Sequence, residues 1–247
     1  MENILYLILL AAGASFIQRT IGFGFGIFIM TALPFLMPSY AEAVTLSGLL
    51  ALTSGIVVMI QYIKYVTWKR FLPIIGAFTI FSTAAILLLD KIEGPMMRKI
   101  LGVMLILLSL YFSFFKERLQ KHIRATPGWM SASGAVSGVM GGLFGMQGPA
   151  AVLYLIVSEP SKMHYMGMIQ TYSVVTNVTM LAVRVYNGYV TPAVGTSYLY
   201  GLVGLALGVI AGNWAFKRIP NRLFTNIVYA YIGISGAIIL LTSISKY

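Results

Sequence analysis

The sequence predicts an all-α polytopic membrane protein with two inverted-topology repeats, each a broken, re-entrant helical hairpin followed by three transmembrane helices. Three observations lead to this prediction. Apolar residues make up 59% of the 247 residues and charged residues only 9%, against about 25% charged residues in soluble domains. Eight apolar runs follow one another, and two of them are too long for one crossing. Short segments of the first half recur in the second half at a nearly constant spacing.

The apolar runs lie near residues 4–37, 41–63, 71–89, 99–115, 129–157, 165–189, 193–216 and 224–244. Six of them have the length that crosses a hydrocarbon layer about 30 Å thick once. As continuous helices the first run would extend about 51 Å and the fifth about 44 Å, at 1.5 Å per residue. Glycine-rich sequence, RTIGFGFG in the first and GGLFGMQGP in the fifth, interrupts both in the middle. We therefore predict broken helices or re-entrant hairpins there.

Three local echoes indicate an internal duplication. Residues 22–26 correspond to 145–149, MPS at 37–39 to EPS at 159–161, and YVTW at 65–68 to YVTP at 189–192, with offsets of 123, 122 and 124 residues. The predicted repeats are residues 1–115 and 129–247, joined by a basic cytoplasmic linker at 116–128. Paired interrupted segments in two halves are typical of a transporter's binding site.

The basic residues in loops and tails favour the hairpins. If all eight runs cross once, these residues divide 8 to 7 between the two sides. If each long run enters and leaves on the same side, they divide 11 to 4. Only the second arrangement follows the positive-inside rule. It also gives each half an odd number of crossings, so the two halves would be inverted copies.

Composition excludes several classes of function. Cysteine is absent, so disulfides and thiolate metal sites are excluded, and we expect no metal or cofactor. The formal charge of +11 lies in short loops, where it is typical of topology and of contacts with lipid headgroups rather than with nucleic acid. No HExxH or GxSxG motif and no intramembrane pair of aspartates occurs, so we do not expect an enzyme. The first residues lack the basic region of a cleaved signal peptide.

The first glycine cluster follows an arginine that lies within an apolar run. An arginine at membrane depth costs about 2.5–3.5 kcal/mol on insertion scales, so it usually has a role. Its guanidinium matches the oxygens of a sulfonate or carboxylate, and glycines let backbone amides approach a ligand. The predicted anion cradle comprises Arg19, Thr20, Gly22, Gly24 and Gly26, with Gln18 on the pathway. The alternative is a snorkelling arginine with glycines for helix packing.

The second half offers matching polar groups. Gln147 and Gly148 precede Pro149, which favours the start of a half-helix with exposed amides; helix packing is the alternative. Gln170, Ser173 and Asn177 share one helical face, which Arg184 extends. This stripe predicts a substrate wall or water-lined path, with interhelical hydrogen bonds as the alternative. Arg184 is ranked below Arg19 because it lies near a helix end, where it could snorkel.

Residues that could couple transport to protons or sodium ions are harder to identify. Glu42 and Glu159 follow the two hairpins, and His164 is close to Glu159 in sequence. A proton-linked role is one interpretation, and ordinary solvation in loops is the other. No feature marks a sodium site. Membrane potential alone drives an anion out of a negative interior.

The glycine clusters, each followed by an apolar stretch and a proline, resemble those of the sulfite exporter TauE/SafE family. The resemblance is sharpest in GFGFGIFIMTALPFLMP at 22–38 and SGVMGGLFGMQGPAAVLYLIVSEP at 137–160, and it covers nearly the whole chain. Phe25 and Gln147 depart from the family's fuller glycine triplets. The resemblance implies transport of a small sulfur-containing anion, such as sulfite, sulfoacetate or another organosulfonate, across a bacterial inner membrane by alternating access. An anion channel or a carrier of a small carboxylate is the alternative, and a homodimer is permitted.

Overall fold

The computed structural model describes residues 2–89, 91–92, 94–115, 118, 121–124, 126–159, 161–216 and 221–244. These described residues form helices and connecting turns, without strands. In the first half the helices are α1 Glu2–Ile21, α2 Phe25–Ile29, α3 Leu33–Leu36, α4 Tyr40–Tyr62, α5 Trp68–Leu89 and α6 Gly94–Leu110. In the second half they are α7 Pro127–Phe144, α8 Gly148–Ser158, α9 Lys162–Tyr186, α10 Pro192–Phe216 and α11 Asn221–Ile244. A 3₁₀ turn, Ile63–Tyr65, extends α4, and a π-helical turn, Tyr111–Phe115, extends α6.

The prediction of an all-helical membrane protein is confirmed. Within the part of the chain that the structure describes, four helical segments are long and apolar enough to cross a membrane: 40–65, 72–89, 94–115 and 192–214. Shorter apolar segments lie at 4–20 and 230–242. The division into repeats stays a prediction, and five residues of the linker 116–128 lie outside the described residues.

Both overlong apolar runs are interrupted at the predicted glycine clusters. After α1, Gly22 and Gly24 take φ angles of 91° and 100°, and the short α2 begins at the next residue. After α7, Gly145 takes a φ of 68°, and α8 begins three residues later. Positive φ is readily adopted by glycine because it has no Cβ. The chain therefore breaks where this backbone conformation costs least. We call residues 22–24 the first break and residues 145–147 the second break.

Glycines bring two pairs of parallel helices into backbone contact. Gly204 and Gly212 of α10 meet α1 near Ile8 and Phe16, in the same order along both helices. The pair α7–α5 repeats this arrangement, with Gly134, Gly138 and Gly142 against Ile74, Phe78 and Ser82. Small residues at this spacing allow close helix packing in membranes. Each pair joins the first helix of one half to the third long helix of the other half.

Two further pairs of helices are antiparallel. In the pair α4–α9, Glu42 near the start of α4 bonds Thr191 beyond the end of α9. At the other end of this pair, Gly167 lies against the carbonyl of Tyr62. In the pair α6–α11, Gly102 meets Gly236 and Leu240, whereas Ser109 meets Gly233. If each helix is replaced by its counterpart in the other half, the pair α1–α10 becomes the pair α7–α5. The pairs α4–α9 and α6–α11 are unchanged by this replacement, because each consists of two counterparts.

Candidate functional site

Each break contacts the short helix that follows the other break. An ideal Cβ built on Gly26 would lie 2.0 Å from the carbonyl oxygen of Gly145, so only a glycine fits at this position. Beside this contact, Gly148 faces Phe23, with 3.7 Å between an ideal Cβ on Gly148 and the Cβ of Phe23. The interrupted segments of the two halves, 123 residues apart in sequence, therefore build one site.

A cavity of about 30 Å³ lies where the breaks meet. Its lining consists of Gln18, residues 22–27, Ala51, residues 145–148, Ile169, Tyr172 and Ser173. Ala51 lies eleven residues from each end of α4, and Ser173 lies eleven residues from the start of α9. The cavity is therefore at mid-depth of the central helix pair. Its volume is that of one or two water molecules.

Helix α9 ties the two breaks together through buried side chains. The Gln170 amide nitrogen donates to the carbonyl oxygen of Gly22 at 2.9 Å. Two residues later, the Tyr172 hydroxyl donates to the carbonyl oxygen of Gln147 at 3.3 Å. Both side chains are buried. One helix thus fixes the backbone of both interrupted segments, and it also supplies Ser173 to the cavity wall.

The cavity wall carries hydrogen-bonding groups that have spare capacity. The side-chain oxygen of Gln18, in the lining, is buried and has no hydrogen-bond partner among the described residues. The same holds for the side-chain oxygen of Gln170, which lies outside the lining, next to Ile169. Gln147 lies at the start of α8 without using its side chain as a cap. The first amides of a helix have no acceptor within that helix, and here the Ala151 amide is satisfied by the Ser137 hydroxyl at 3.0 Å.

The predicted start of a half-helix near Pro149 is present. Helix α8 begins at Gly148, and the proline takes the second helical position, where its missing N–H costs nothing. The predicted binding residues Gly22, Gly24, Gly26, Gln147 and Gly148 all line the cavity. The structure therefore brings the two predicted glycine segments together.

Arg184 is the buried cation of this region. Its side chain is 1% exposed, so the interpretation of Arg184 as a snorkelling residue is wrong. The guanidinium donates to the carbonyl of Val44 at 3.0 Å and to those of Gly141 and Gly142 at 3.2 Å each. Among the described residues no carboxylate pairs with it, and its Nε has no acceptor. Its charge is balanced by carbonyl dipoles at the end of α7.

Asn177 connects Arg184 to the cavity. The Asn177 side-chain oxygen and the Arg184 Nη1 both lie beside Gly48, at 3.5 Å and 3.2 Å from an ideal Cβ on that glycine. Asn177 donates to the Ser173 carbonyl at 2.8 Å, one helical turn closer to the cavity. Gln170, Asn177 and Arg184 of the polar face predicted on α9 are all buried in the protein interior.

Arg19 occupies a different place from the other predicted binding residues. It lies in the last turn of α1 and is partly exposed. Its guanidinium donates to the side-chain oxygens of Asn213 and Gln61, and it is outside the cavity lining. Successive helical residues are about 100° apart, so Gln18 faces the cavity while Arg19 faces α10. Thr20 also lies outside the lining, and its hydroxyl bonds the carbonyls of its own helix.

The three predicted coupling residues lie in two separate places. Glu42 is buried and forms a capping box with Ser39, and its second oxygen accepts from the Thr191 hydroxyl at 2.6 Å. Solvation in a loop is therefore wrong for Glu42. Glu159 caps the end of α8, and His164 contacts the Ser161 hydroxyl at 2.9 Å. His164 is at the start of α9, the end opposite Glu42, so the structure does not bring these two groups together.

Sequence reasoning missed Tyr172 and Ser137, which hold the second break and the first turn of α8. Neither belongs to a periodic polar face, so no pattern marks them. No group of three or more histidine, aspartate or glutamate residues that could hold a metal ion occurs within the described part of the chain.

Comparison with known proteins gives a single assignment. No curated protein and no solved structure matches the chain. The model of the family described as sulfite exporter TauE/SafE matches residues 7–239, nearly the entire sequence. The glycine clusters, both breaks and the cavity between them all lie inside this matched region. The chain therefore belongs to the sulfite exporter TauE/SafE family and is a membrane transporter rather than an enzyme.

Proposed function

We propose that this transporter exports a small sulfur-containing anion, such as sulfite, sulfoacetate or a related organosulfonate, across the cytoplasmic membrane of a bacterium by alternating access. The observation that carries the proposal is the contact between the two interrupted segments around a mid-depth cavity whose lining includes Gln18, Gln147 and Ser173. Discontinuous helices that meet near the membrane centre are a recurrent form of substrate site in secondary transporters.

The helix directions support inverted repeats. The corresponding helices α4 and α9 are antiparallel, as are α6 and α11, which an inverted copy requires. The helices α1 and α4 run toward the same end of the molecule, because Arg19 in the last turn of α1 donates to Gln61 in the last turn of α4. Residues 22–39 therefore return to the end where α1 began. This path supports a re-entrant hairpin in the proposed topology.

The distribution of charge supports the same topology. With these helix directions, the ends of α1, α4 and α6 and the starts of α5, α9 and α11 share one face. Its described basic residues besides Arg19 are Lys64, Lys69, Arg70, Arg118, Lys121, Arg124, Lys162 and Arg222. The opposite face carries Lys91, Arg98 and Lys99. The basic residues Lys116, Lys217, Arg218 and Lys246 lie outside the described residues. By the positive-inside rule we assign the first face to the cytoplasm.

The chemistry of the cavity suits an oxyanion. The first-turn amides of α2, the Gly148 amide of α8 and the side-chain amide of Gln147 supply donors to its wall. The side-chain amide of Gln18 adds a donor if it is turned about its terminal bond, because oxygen and nitrogen are assigned from the hydrogen-bond network. Arg184 lies next to Gly48, three residues from Ala51 of the cavity wall, and supplies the positive potential. Such donors, fixed in place before binding, favour a planar or pyramidal oxyanion.

The size of the cavity implies movement. A space of about 30 Å³ holds water but no organosulfonate, so this conformation is occluded and loading requires the breaks to separate. The glycines with positive φ at both breaks are the hinges of this proposal, since hinge residues must absorb backbone rotation. Arg19, on the cytoplasmic face of the proposed topology, would attract anions toward the cavity. A homodimer and proton linkage through Glu42, Glu159 or His164 stay proposals.

Transport by purified protein in liposomes tests this function. Sulfite, sulfoacetate, taurine, isethionate, sulfate and short carboxylates would be offered one at a time, with initial uptake rates and counterflow as readouts. We expect saturable uptake with counterflow for one sulfur anion, and at least a tenfold higher KM in Gln147→Leu. Thr196→Val is the control because Thr196 lies outside the cavity lining and its hydroxyl bonds a carbonyl of its own helix. Uptake that does not saturate and lacks counterflow would indicate a channel, and a preference for carboxylates would exclude the sulfonate assignment.

A further inference from the structure

A second cavity, distinct from the one between the breaks, lies on the outer surface of the bundle. It has a volume of about 280 Å³ and is bounded by α6, α7 and α8 together with Ile123. Trp129 and Val136 of its wall are 39% and 53% exposed, so it opens toward the surroundings of the bundle. We call it the outer cleft. Nothing in the proposed transport path uses it.

The lining of the outer cleft is apolar. Leu108 and Met140 form the floor with α8 residues Pro149 and Leu153, all of them buried. Within the described residues, the polar side-chain atoms of the lining are the hydroxyls of Ser133 and Tyr111 and the indole nitrogen of Trp129. So few polar groups leave most of a cavity of this size without hydrogen-bond partners for water. In a bilayer, the molecule available to fill such an open apolar space is a lipid acyl chain.

Basic residues border one end of the outer cleft. Ile123 is buried in the lining and is flanked by Arg124, which is exposed. Lys121, two residues earlier, is also exposed. The sequence from 116 to 124 holds four lysine or arginine residues and one glutamate. This end of the cleft lies at the face assigned to the cytoplasm, where the leaflet is rich in anionic lipid.

We propose that the outer cleft binds one anionic phospholipid, with an acyl chain between α7 and α8 and the headgroup phosphate at Lys121 and Arg124. The apolar wall and the basic rim are adjacent and match the two parts of such a lipid. Because Pro149 and Ala150 line the cleft directly after the second break, the bound chain lies against the first turn of α8. The site is separate from the substrate cavity and does not depend on the identity of the transported anion.

Trp129 provides a direct probe of occupancy. The chain has three tryptophans, so replacing Trp68 and Trp214 with phenylalanine leaves Trp129 as the single emitter. This full-length protein would be placed in bilayers that contain phosphatidylglycerol or phosphatidylcholine with brominated acyl chains, which quench tryptophan on contact. We expect half-maximal quenching at a several-fold lower mole fraction of brominated phosphatidylglycerol than of brominated phosphatidylcholine.

Two kinds of variant separate the chain and headgroup parts of the proposal. Ala132→Phe fills the cleft from an exposed alanine of its wall and should reduce quenching by both lipids; Ala211→Phe, at an exposed alanine of α10, is the matched control. Lys121→Gln with Arg124→Gln should abolish the preference for phosphatidylglycerol, whereas Lys64→Gln on the same face should preserve it. Equal quenching by the two lipids in the unaltered cleft, or no effect of Ala132→Phe, would overturn the proposal. Absence of quenching by either lipid would show that protein covers the cleft and would overturn it too.

Discussion

The carbonyl oxygen of Gly145 occupies the space where a side chain on Gly26 would begin. An ideal Cβ on Gly26 would come within 2.0 Å of that oxygen. Gly26 itself lies inside α2, in ordinary helical conformation, so the requirement for glycine here comes from the neighbouring half of the molecule. Position 26 therefore requires glycine because the second break packs against α2, and not because of the conformation of α2 itself.

Replacing Gly26 with alanine should force the two breaks apart. We expect the variant to lose about 1–3 kcal/mol of stability, as overpacked sites do, and to bind substrate at least tenfold more weakly. The midpoint of thermal unfolding in detergent, followed by tryptophan fluorescence, measures the first effect. Gly76→Ala is the control, because a Cβ there meets nothing within 4 Å and alanine favours the helix. A Gly26→Ala protein with unchanged midpoint and affinity would contradict the close contact.

Arg184 and Arg19, the two arginines within apolar runs, should respond differently to substitution. Arg184→Gln removes three hydrogen bonds to buried carbonyls, so we expect a loss of at least about 2 kcal/mol and an anion affinity lowered at least tenfold. Arg184→Lys keeps the charge but cannot reach the carbonyls of two helices at once, so it should recover part of the affinity and little of the stability. Arg19→Gln, at a partly exposed side chain, should cost about 0.5 kcal/mol.

Thermal unfolding and anion titration of these variants provide the comparison. A larger loss of affinity in Arg19→Gln than in Arg184→Gln would place the anion at the end of α1 and contradict the cavity site.

The sequence alone could locate the breaks, but it could not show whether Arg19 or Arg184 lies closer to the cavity. The position of a break depends on local backbone chemistry, and the glycines at 22, 24 and 145 carry that information. The role of Arg184 depends on carbonyls contributed by residues about 140 and 42 positions away, Val44 and Gly142. Whether Gln18 or Arg19 faces the cavity depends on how α1 is rotated about its own axis. Glycines of α10 determine this rotation, because α1 packs against them. Tyr172 was missed for a similar reason, since its partner is the backbone carbonyl of Gln147 in the second break, which no pattern of side chains indicates.

Cysteine substitutions at Ser39 and Ser161 test the inverted topology. Both serines are exposed and cap the starts of α4 and α9, which lie at opposite ends of the antiparallel pair. Because the natural chain has no cysteine, each variant has a single reactive site. A maleimide that cannot cross the membrane, applied to intact cells, should label only Ser39→Cys. Loss of either cap should cost about 1 kcal/mol, which the folded protein is expected to tolerate.

Labelling of both variants from the same side would exclude the inverted arrangement. Labelling after the cells are opened is the control, since both sites should then react.

Glu42 should contribute to the stability of the fold rather than to the coupling of transport to protons. Its carboxylate accepts hydrogen bonds from the Ser39 backbone and hydroxyl and from Thr191. We expect Glu42→Gln to lower stability by about 1 kcal/mol, to a similar extent as Ser39→Ala, which breaks the same capping box. Uptake by liposomes at several pH values should show the same pH dependence in Glu42→Gln as in the natural protein. Loss of that dependence would assign the proton-linked role to Glu42.

The guanidinium of Arg184, which is bound by carbonyl groups, has a consequence for the voltage dependence of the transport cycle. Since no carboxylate among the described residues neutralises it, the proposed carrier holds a net positive charge in its core when empty and none when loaded with a monovalent anion. The loaded step would then be insensitive to voltage, whereas the return of the empty carrier toward a negative interior would be favoured by about 2.3 kcal/mol per 100 mV for a charge that crosses the whole field. Each cycle would export one negative charge, so transport would produce an electric current. Depolarisation of the membrane would slow this transport, because it weakens the force on the return step.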